Sequence, residues 1–421
     1  MKPLLDPYQR DGAAWLADRS IAYLADVMGL GKSAQYIRAC DLIGATSVTV
    51  LGPAVLRPVI AAEFEKFGFG TPSTEIYSGA GAAITPGGDT AIAGYSAAID
   101  KVALKLLRKR GPDVLILDEA HMLKSMDALR TRAIMGAQGL IHTAKRVWFV
   151  SATPMPNDVT ELLPFLKVAG LYEGTYNDFV RDFAVTRRDG FKEIIVGTKN
   201  EGRLAAILKD HMLRRTFGDV GLELPPLTID RMPIEARMPN IPIEAAKSLE
   251  AFIEKGVDLA ETEMMGTAMR LLGAAKLEGT CEIIAGMSQR NPIVFGKHSE
   301  LLRSISERFQ CGIIDGKVSA KNRQKAIAEF QSRDDKPIVC QINAAGVGLT
   351  LTRSNRELLP EYSWSPADNV QAIARAHRRG QTRPVWARYL YIPGSLDEAV
   401  SEVAARKARE TEKVFRAKDL F

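Results

Sequence analysis

The chain has 421 residues, 46% of them hydrophobic and 25% charged, with 56 Lys and Arg against 50 Asp and Glu. That length exceeds what one hydrophobic core spans and predicts two or three domains, and the apolar content is enough to fold them, which excludes a disordered chain. A net charge of +6 suits a polyanionic partner without specifying one. No run of about 18 apolar residues occurs, and residues 1–9 lack the charged-then-apolar layout of a signal peptide, so neither a membrane span nor export is expected. The four cysteines, Cys40, Cys281, Cys311 and Cys340, are far apart and none stands near a histidine at metal-ligand spacing. This argues against a zinc site or a disulfide framework and for a reducing cytoplasm, with a place at the nucleoid if the source is bacterial or viral.

Short β-branched runs alternate with helix-like stretches, the signature of parallel βαβ units, and the pattern occurs twice. In the first half the predicted strands are 21–25, 48–51, 114–117 and 147–150. The first of these feeds Asp26-Val27-Met28-Gly29-Leu30-Gly31-Lys32-Ser33, which opens a helix. Glycines at Gly29 and Gly31 let backbone N–H groups converge on phosphate oxygens, the helix N-terminus adds its dipole, Lys32 reaches the terminal phosphates and the Ser33 hydroxyl ligates magnesium. The strict pattern has Gly where this chain has Asp26, so taken alone the segment also reads as a glycine turn beside a lysine. Residues 79–88 read as a surface loop by composition, and Lys101, Lys105, Arg108, Lys109 and Arg110 form a basic cluster that is either a solvated helix face or a phosphate contact. The strand at 114–117 runs into Asp118-Glu119-Ala120-His121, placing two carboxylates at the end of a buried parallel strand, where ligands bind in such sheets. There Asp118 would hold the magnesium while Glu119 orients and deprotonates the attacking water. Two solvated acids at a helix start are the alternative, which the phosphate loop upstream disfavours.

Residues 161–287 look mostly helical, with amphipathic segments at 203–212 and 245–277 interrupted by Leu224-Pro225-Pro226. The second series of strands is 293–295, 311–314, 337–342 and 388–392, followed by a long charged helix at 396–415. His121, His298 and His377 are not grouped as metal ligands, and coupling or packing roles are expected of them.

In this order the segments resemble superfamily 2 helicases and, within them, SWI/SNF-type DNA translocases, over nearly the whole chain. Leu5-Asp6-Pro7-Tyr8-Gln9 with Gly12 and Trp15 is similar to that family's adenine-recognising segment, with Gln9 in the place of the base-reading glutamine. Ser151-Ala152-Thr153-Pro154 resembles the motif that couples nucleotide state to nucleic-acid binding, a role in which Ser151, Thr153 and His121 are expected. Leu213-Arg214-Arg215 followed by Leu224-Pro225-Pro226 is similar to the stretch that ends the first lobe of these translocases. Ile314-Asp315-Gly316 with Arg323 and Phe330, then residues 344–352, follow the family order. The run from Gln371 through Arg375 and Arg378 to Gln381 is similar to its closing motif. There Arg375 and Arg378 would be fingers on ATP, and Gln371 would belong to the nucleotide site. Glu361-Tyr362-Ser363-Trp364-Ser365-Pro366 resembles the annealing-helicase subgroup. Val27, Ser33 and Ser365 depart from the family pattern without removing a catalytic group.

The resemblance implies an α/β fold of two RecA-like parallel-sheet lobes with an ATP cleft between them, plus helical insertions. The expected divisions are 1–228 for the first lobe, 229–288 for a helical insertion and interlobe linker, and 289–421 for the second lobe. It also implies ATP and Mg²⁺ as cofactors and a monomer acting on double-stranded or branched DNA; because the chain begins almost at the adenine segment and ends soon after the last motif, no chromatin-reading or targeting domain is expected. Family position puts DNA contacts at Pro53, Arg57, Tyr95, Ser96, Ala345, Gly346 and Thr350, each of which also reads as a packing or loop residue. Three functions remain open: a duplex-DNA translocase, a strand-separating helicase on DNA or RNA, and an ATP-binding scaffold that hardly hydrolyses. Intact Glu119, Arg375 and Arg378 speak against the scaffold.

Overall fold

The computed structural model describes residues 4–68, 74–76, 89–156, 158–189, 192–247, 250, 263–289, 291–345, 349–363 and 366–416. The chain divides into two compact units, Met1–Leu222 and Glu223–Arg416. Among the described residues no helix is long and apolar enough to cross a membrane.

The first unit is built on β1 (Ile21–Leu24), β2 (Val48–Gly52), β3 (Thr74–Ile76), β4 (Thr90–Gly94), β5 (Val114–Asp118) and β6 (Arg146–Val150). A separate pair, β7 (Ala184–Asp189) and β8 (Lys192–Thr198), follows, and then β9 (Met212–Leu213). The main sheet has seven strands in the order β3-β4-β2-β5-β6-β1-β9, and its pairings are parallel. Parallel strands covered on both faces read as continuous apolar runs. Val48–Gly52 is buried throughout, and Val114 to Leu117 likewise. The helices Lys32–Leu42, Arg57–Phe67 and Lys101–Arg110 lie between successive strands of the chain. Tyr23, Phe149 and Phe165 fill the core between them, with ring centroids 5.1–5.8 Å apart. β4, Thr-Ala-Ile-Ala-Gly, is absent from the sequence expectation because Ala and Gly carry little strand propensity; packing between β3 and β2 overrides it.

The second unit contains β10 (Leu227–Pro233), β11 (Ile293–Gly296), β12 (Gly312–Ile314), β13 (Ile338–Gln341), β14 (Arg356–Leu359) and β15 (Val385–Tyr391). These form a six-stranded sheet in the order β10-β15-β14-β11-β13-β12, again paired in parallel.

The mostly helical reading of 161–287 needs correction, because β7, β8, β9 and β10 stand there beside the helices Leu163–Val168, Tyr176–Phe183, Glu201–Leu208, Glu263–Ala275 and Leu277–Gly286. β7 and β8 pair antiparallel as a ribbon of their own with a bulge between Val185 and Thr186. Charged residues crowd β7, whereas Ile194-Ile195-Val196 of β8 is a β-branched run that the helical reading passed over. An aromatic group at the ribbon's base, Tyr172, Phe179 and Phe183 with centroids 4.9–6.0 Å apart, takes the place of a hydrophobic strand face. β10 falls across the expected 228/229 division and within the expected linker. It is instead the edge strand of the second sheet, with Leu227 opposite Val385 and Pro233 opposite Tyr391, and a proline at its end is tolerated because an edge strand leaves N–H positions unpaired.

A fully buried ion pair ties the second unit together. Lys276 Nζ donates to both Asp397 oxygens, at 2.9 and 3.0 Å, and to the Leu390 carbonyl at 3.2 Å, while Tyr362 Oη and Ile392 N also donate to Asp397. Neither charged side chain is exposed. Asp397→Ala is expected to cost about 3–5 kcal/mol, because it strands the ammonium, whereas the double change Lys276→Met with Asp397→Leu should recover most of that loss. Urea unfolding of the three chains checks both outcomes.

Candidate nucleotide site

β1 ends at Leu24 and the chain turns through Asp26 to Gly31 into the helix Lys32–Leu42. Gly29 has φ 93° and Gly31 φ 71°, left-handed conformations that glycine adopts without a Cβ penalty. A Cβ on Gly31 would also lie 2.4 Å from Gln9 Nε2. That amide donates to the Leu30 carbonyl at 3.2 Å, and Gln9 Oε1 accepts from Asp6 N at 3.0 Å, so the N-terminal helix Pro7–Ala17 is pinned to the loop through Gln9. Lys32 folds back over the loop, its Nζ donating to the Asp26 carbonyl at 2.8 Å and to that of Val27 at 3.4 Å. Ser33 stands beside it in the first helical turn.

Asp118 is the last residue of β5, between β2 and β6. Its Oδ1 accepts from Glu119 N at 3.0 Å and its carbonyl from Tyr95 Oη at 2.7 Å. Glu119 takes φ 52°, a strained value for a residue with a side chain, and both of these bonds fix the peptide that leads into it. Burial, and then the Glu119 charge, push the Asp118 carboxyl up to about 7, with Lys32 pulling it back. Burial lowers the Lys32 ammonium in turn, against Glu119, Asp26 and Asp118. Two carboxylates next to a desolvated lysine suit a divalent cation bridging to phosphate, the chemistry that Mg²⁺–ATP supplies, and backbone N–H groups at the helix start suit the phosphates. The residues therefore fit the group.

His121 Nδ1 lies 2.9 Å from Ser151 Oγ and 3.2 Å from Glu119 Oε2. Ser151 Oγ accepts from Thr153 N at 3.1 Å and donates to Glu119 Oε2 at 3.4 Å. Both Ser151 and Thr153 are buried. The expected coupling residues thus meet the expected base in one hydrogen-bonded cluster after β5 and β6.

Four residues that sequence reading passed over or gave no such role, Asp26, Gln35, Arg214 and Arg215, belong to this cluster of loops. Asp26, seen there only as a departure, is fully buried and accepts from Arg215 Nε at 3.1 Å, Arg215 Nη2 at 2.6 Å and Gln35 Nε2 at 2.9 Å. Arg214 Nη1 donates to the Ala25 and Ala152 carbonyls at 3.1 and 3.2 Å, and burial lowers its guanidinium to about 10. A lone acid closing an apolar strand was the one signal available; its partner stands 189 positions away.

Of the expected DNA contacts in the first unit, Pro53 and Arg57 flank the turn Ala54–Leu56 after β2, and Ser96 is exposed after the neighbouring β4, all on one sheet edge. Tyr95 is a correction. Its side chain is buried in the core and its hydroxyl is spent on the Asp118 carbonyl, so it supports the carboxylate strand rather than facing a ligand. In the second unit Ala345 ends the short helix Ile342–Ala345, the Thr350 carbonyl accepts from Gln331, and Gly346 lies outside the described residues, as do Trp364, Ser365 and the loop at 79–88. Gln371 lies on the helix Pro366–Ile373. Arg378 Nη1 donates to the Leu349 carbonyl at 2.6 Å, and Leu351 N to the Arg375 carbonyl at 2.9 Å, which joins the 349–351 strip to the arginine segment. His377 Nε2 lies 2.7 Å from the Pro225 carbonyl, so Leu224-Pro225-Pro226 packs on this segment and opens the second unit rather than closing the first. Glu361 is buried, its Oε2 accepting from Lys297 N and His298 N at 2.9 Å and its Oε1 lying 2.8 Å from His298 Nδ1.

A glycine-bent phosphate loop after the first strand, its lysine, and paired carboxylates on a nearby parallel strand define a P-loop nucleoside triphosphatase, here with two RecA-like α/β units. Residues 84–237 match the SNF2-related domain and residues 275–380 the helicase conserved C-terminal domain, so the chain carries both of these domains in that order. It is 27% identical to the human "DNA annealing helicase and endonuclease ZRANB3", over 98% of this chain and 40% of that protein. It is 29% identical to the Xenopus tropicalis "SWI/SNF-related matrix-associated actin-dependent regulator of chromatin subfamily A-like protein 1", over 94% of this chain and 43% of that one. The chain therefore spans about two fifths of the length of these relatives. Among solved structures, the Sulfolobus solfataricus SWI2/SNF2 ATPase core in complex with dsDNA is 22% identical with a TM-score of 0.47, covering 100% of this chain and 94% of that one.

Tyr95→Phe removes one buried donor to the Asp118 carbonyl. It is expected to cost about 1–3 kcal/mol of stability and to slow hydrolysis, with affinity for duplex DNA unchanged. Thermal unfolding, ATPase rates and a DNA titration read the three effects; a selective loss of DNA affinity would return Tyr95 to the DNA surface.

Proposed function

We propose that the chain is an ATP-driven translocase on double-stranded or branched DNA, one that remodels or reanneals DNA or displaces bound protein. The observation that carries this reading is the meeting of Lys32, Asp118 and Glu119 with the His121–Ser151–Thr153 cluster, because it joins a hydrolytic centre to a second set of loops. Lys32, Gly29, Gly31 and Ser33 hold the phosphates, Gln9 reads the base, and Ser33 and Asp118 hold the magnesium. Glu119 takes the proton of the attacking water. Its hydrogen-bonded neighbour Ser151 passes the state of that carboxylate to the sheet edge that carries Pro53, Arg57 and Ser96. Arg375 and Arg378, with Gln371 beside them, act on the nucleotide, and their planar forks neutralise charge on the transferring phosphoryl group. Contacts to DNA run through its phosphates, which predicts little sequence preference and strong salt dependence. The names of the relatives, an annealing helicase among them, support this class of activity.

Strand separation is the second reading, and the β7–β8 ribbon favours it, since a two-stranded element outside the main sheet has the form of a wedge. The two readings divide on substrates. A translocase displaces the third strand of a triplex and leaves a simple fork paired; efficient unwinding of the fork would establish the second reading.

ATPase rates measured in parallel with duplex, forked and single-stranded DNA and with RNA are expected to rise well above basal on duplex or forked DNA, and to vanish in Lys32→Ala or with EDTA. Equal stimulation by RNA would overturn the DNA assignment.

For Arg375→Ala and Arg378→Ala, ATP binding should stay near normal while the maximal rate at saturating DNA falls, by up to roughly 10³-fold. Lysine should rescue poorly, because a point charge does not reproduce the fork. Full recovery at saturating DNA would make these arginines part of a DNA-binding face instead.

A further inference from the structure

Asp26 and Arg215 form a desolvated ion pair beside the phosphate loop, with no part of the acid and 15% of the arginine side chain exposed. Burying two charges is costly unless every donor and lone pair is met. The guanidinium meets several at once: Nε and Nη2 take the two Asp26 oxygens, at 3.1 and 2.6 Å, Nη2 also donates to Gln35 Oε1 at 2.8 Å, and Nη1 donates to the Tyr8 carbonyl at 2.6 Å. Gln35 closes the ring, its Nε2 donating to Asp26 Oδ2 at 2.9 Å and to the Leu30 carbonyl at 3.3 Å. One side chain therefore touches the residue that opens the phosphate loop and, through Gln35, the residue near its end.

The same guanidinium holds the carbonyl of Tyr8, the residue next to Gln9, and lies 5.7 Å from the centre of the Tyr8 ring. Backbone bonds lace the strip alongside, with Ala25 N donating to the Leu213 carbonyl at 2.8 Å and Val27 N to that of Arg215 at 3.1 Å. The approach of the N-terminal helix is so close that a Cβ on Gly12 would stand 2.0 Å from Gln35 Oε1 and 2.6 Å from Arg215 Nη2. The glycine at position 12 is thus the space this arrangement requires.

We propose that Arg215 is a positioning residue for both ends of the nucleotide, acting through Asp26 on the phosphate loop and through the Tyr8 carbonyl on the helix that carries Gln9. This rests on the reading of the site as an ATP site. Because one planar fork spans both contacts, it sets the separation between the group that reads the base and the groups that read the phosphates. Lys32, Asp118 and Glu119 are not among its partners, so its loss weakens nucleotide binding and base discrimination more than the chemical step.

The test uses the full chain as Arg215→Lys and Asp26→Asn, with titrations of fluorescent N-methylanthraniloyl ATP and GTP, thermal unfolding with and without nucleotide, and DNA-stimulated hydrolysis. Arg215→Lys keeps the charge and loses the fork. Its affinity for the ATP analogue is expected to fall by about 10-fold or more and its preference for ATP over GTP to shrink towards none, with kcat at saturating ATP within about 3-fold of the parent. Asp26→Asn keeps the shape and is expected to move in the same direction. A folded Arg215→Lys chain that binds both nucleotides as the parent does would overturn the proposal, and an equal loss for ATP and GTP would overturn its base-reading arm. Where Arg215→Lys does not fold, unchanged binding by Asp26→Asn overturns it. A parent chain that binds neither nucleotide defeats the ATP-site reading itself, and this proposal with it, an outcome distinct from normal binding by parent and variants alike.

Discussion

Parallel pairing is the constraint on which the molecule depends. When the strands of a sheet run one way, their carboxyl ends, and the loops that leave them, gather on a single edge. In the first unit that edge receives the phosphate loop after β1, the turn with Pro53 after β2, Ser96 after β4, the carboxylates after β5 and Ser151 after β6. The central strands can afford to be almost wholly apolar because both faces are covered, so the polar chemistry is pushed to the strand ends. Asp118 shows the consequence: it is the first charge after four buried apolar residues, and desolvation raises its carboxyl for that reason.

Charges so placed need partners, and the partners come from far away in sequence. Lys32 is balanced by Asp26 of its own loop and by Asp118 and Glu119 at the end of β5, and Asp26 by an arginine from the segment after β9. The strip Leu213-Arg214-Arg215 serves the loop twice, since Arg214 and Arg215 point to opposite partners: one to the carbonyls of Ala25 and Ala152, the other to Asp26, Gln35 and Tyr8. This strip lies shortly before Leu222, where the first unit ends. A change at the phosphate loop is therefore felt by the segment that leads out of the unit.

The second unit applies the same economy with different residues. Lys276 and Asp397 neutralise one another inside it, and Glu361 is satisfied by two backbone amides and His298. Gly273 allows the latter, because a Cβ there would stand 2.1 Å from Glu361 Oε1. Such pairs add less to stability than their Coulomb energy suggests, but they make the alternatives expensive, because any packing that separates the partners leaves a bare charge indoors. The arginine segment is held by carbonyls, from Leu349 to Arg378 and from Pro225 to His377.

By itself the sequence determined the strands whose β-branched apolar runs leave no other use for them, β1, β2, β5, β6, β11 and β13, and the phosphate loop and carboxylate pair that follow two of these. Those features are local: a few adjacent residues carry the whole signal, whether it is the period of the side chains or the glycines that a bent loop requires. Only the tertiary structure decided β4 and β7, whose small or charged residues have little strand signal until a neighbour pairs with them, and the partners of β8 and β10, whose short β-branched stretches do not name a neighbour. It also decided that Tyr95 faces Asp118 and that Asp26, a departure from the loop pattern when read along the chain, is one half of a buried pair with Arg215. The reason is physical: a buried charge is intelligible only with its counter-charge, and nothing along the chain at positions 26 and 215 records that the fold brings the two together.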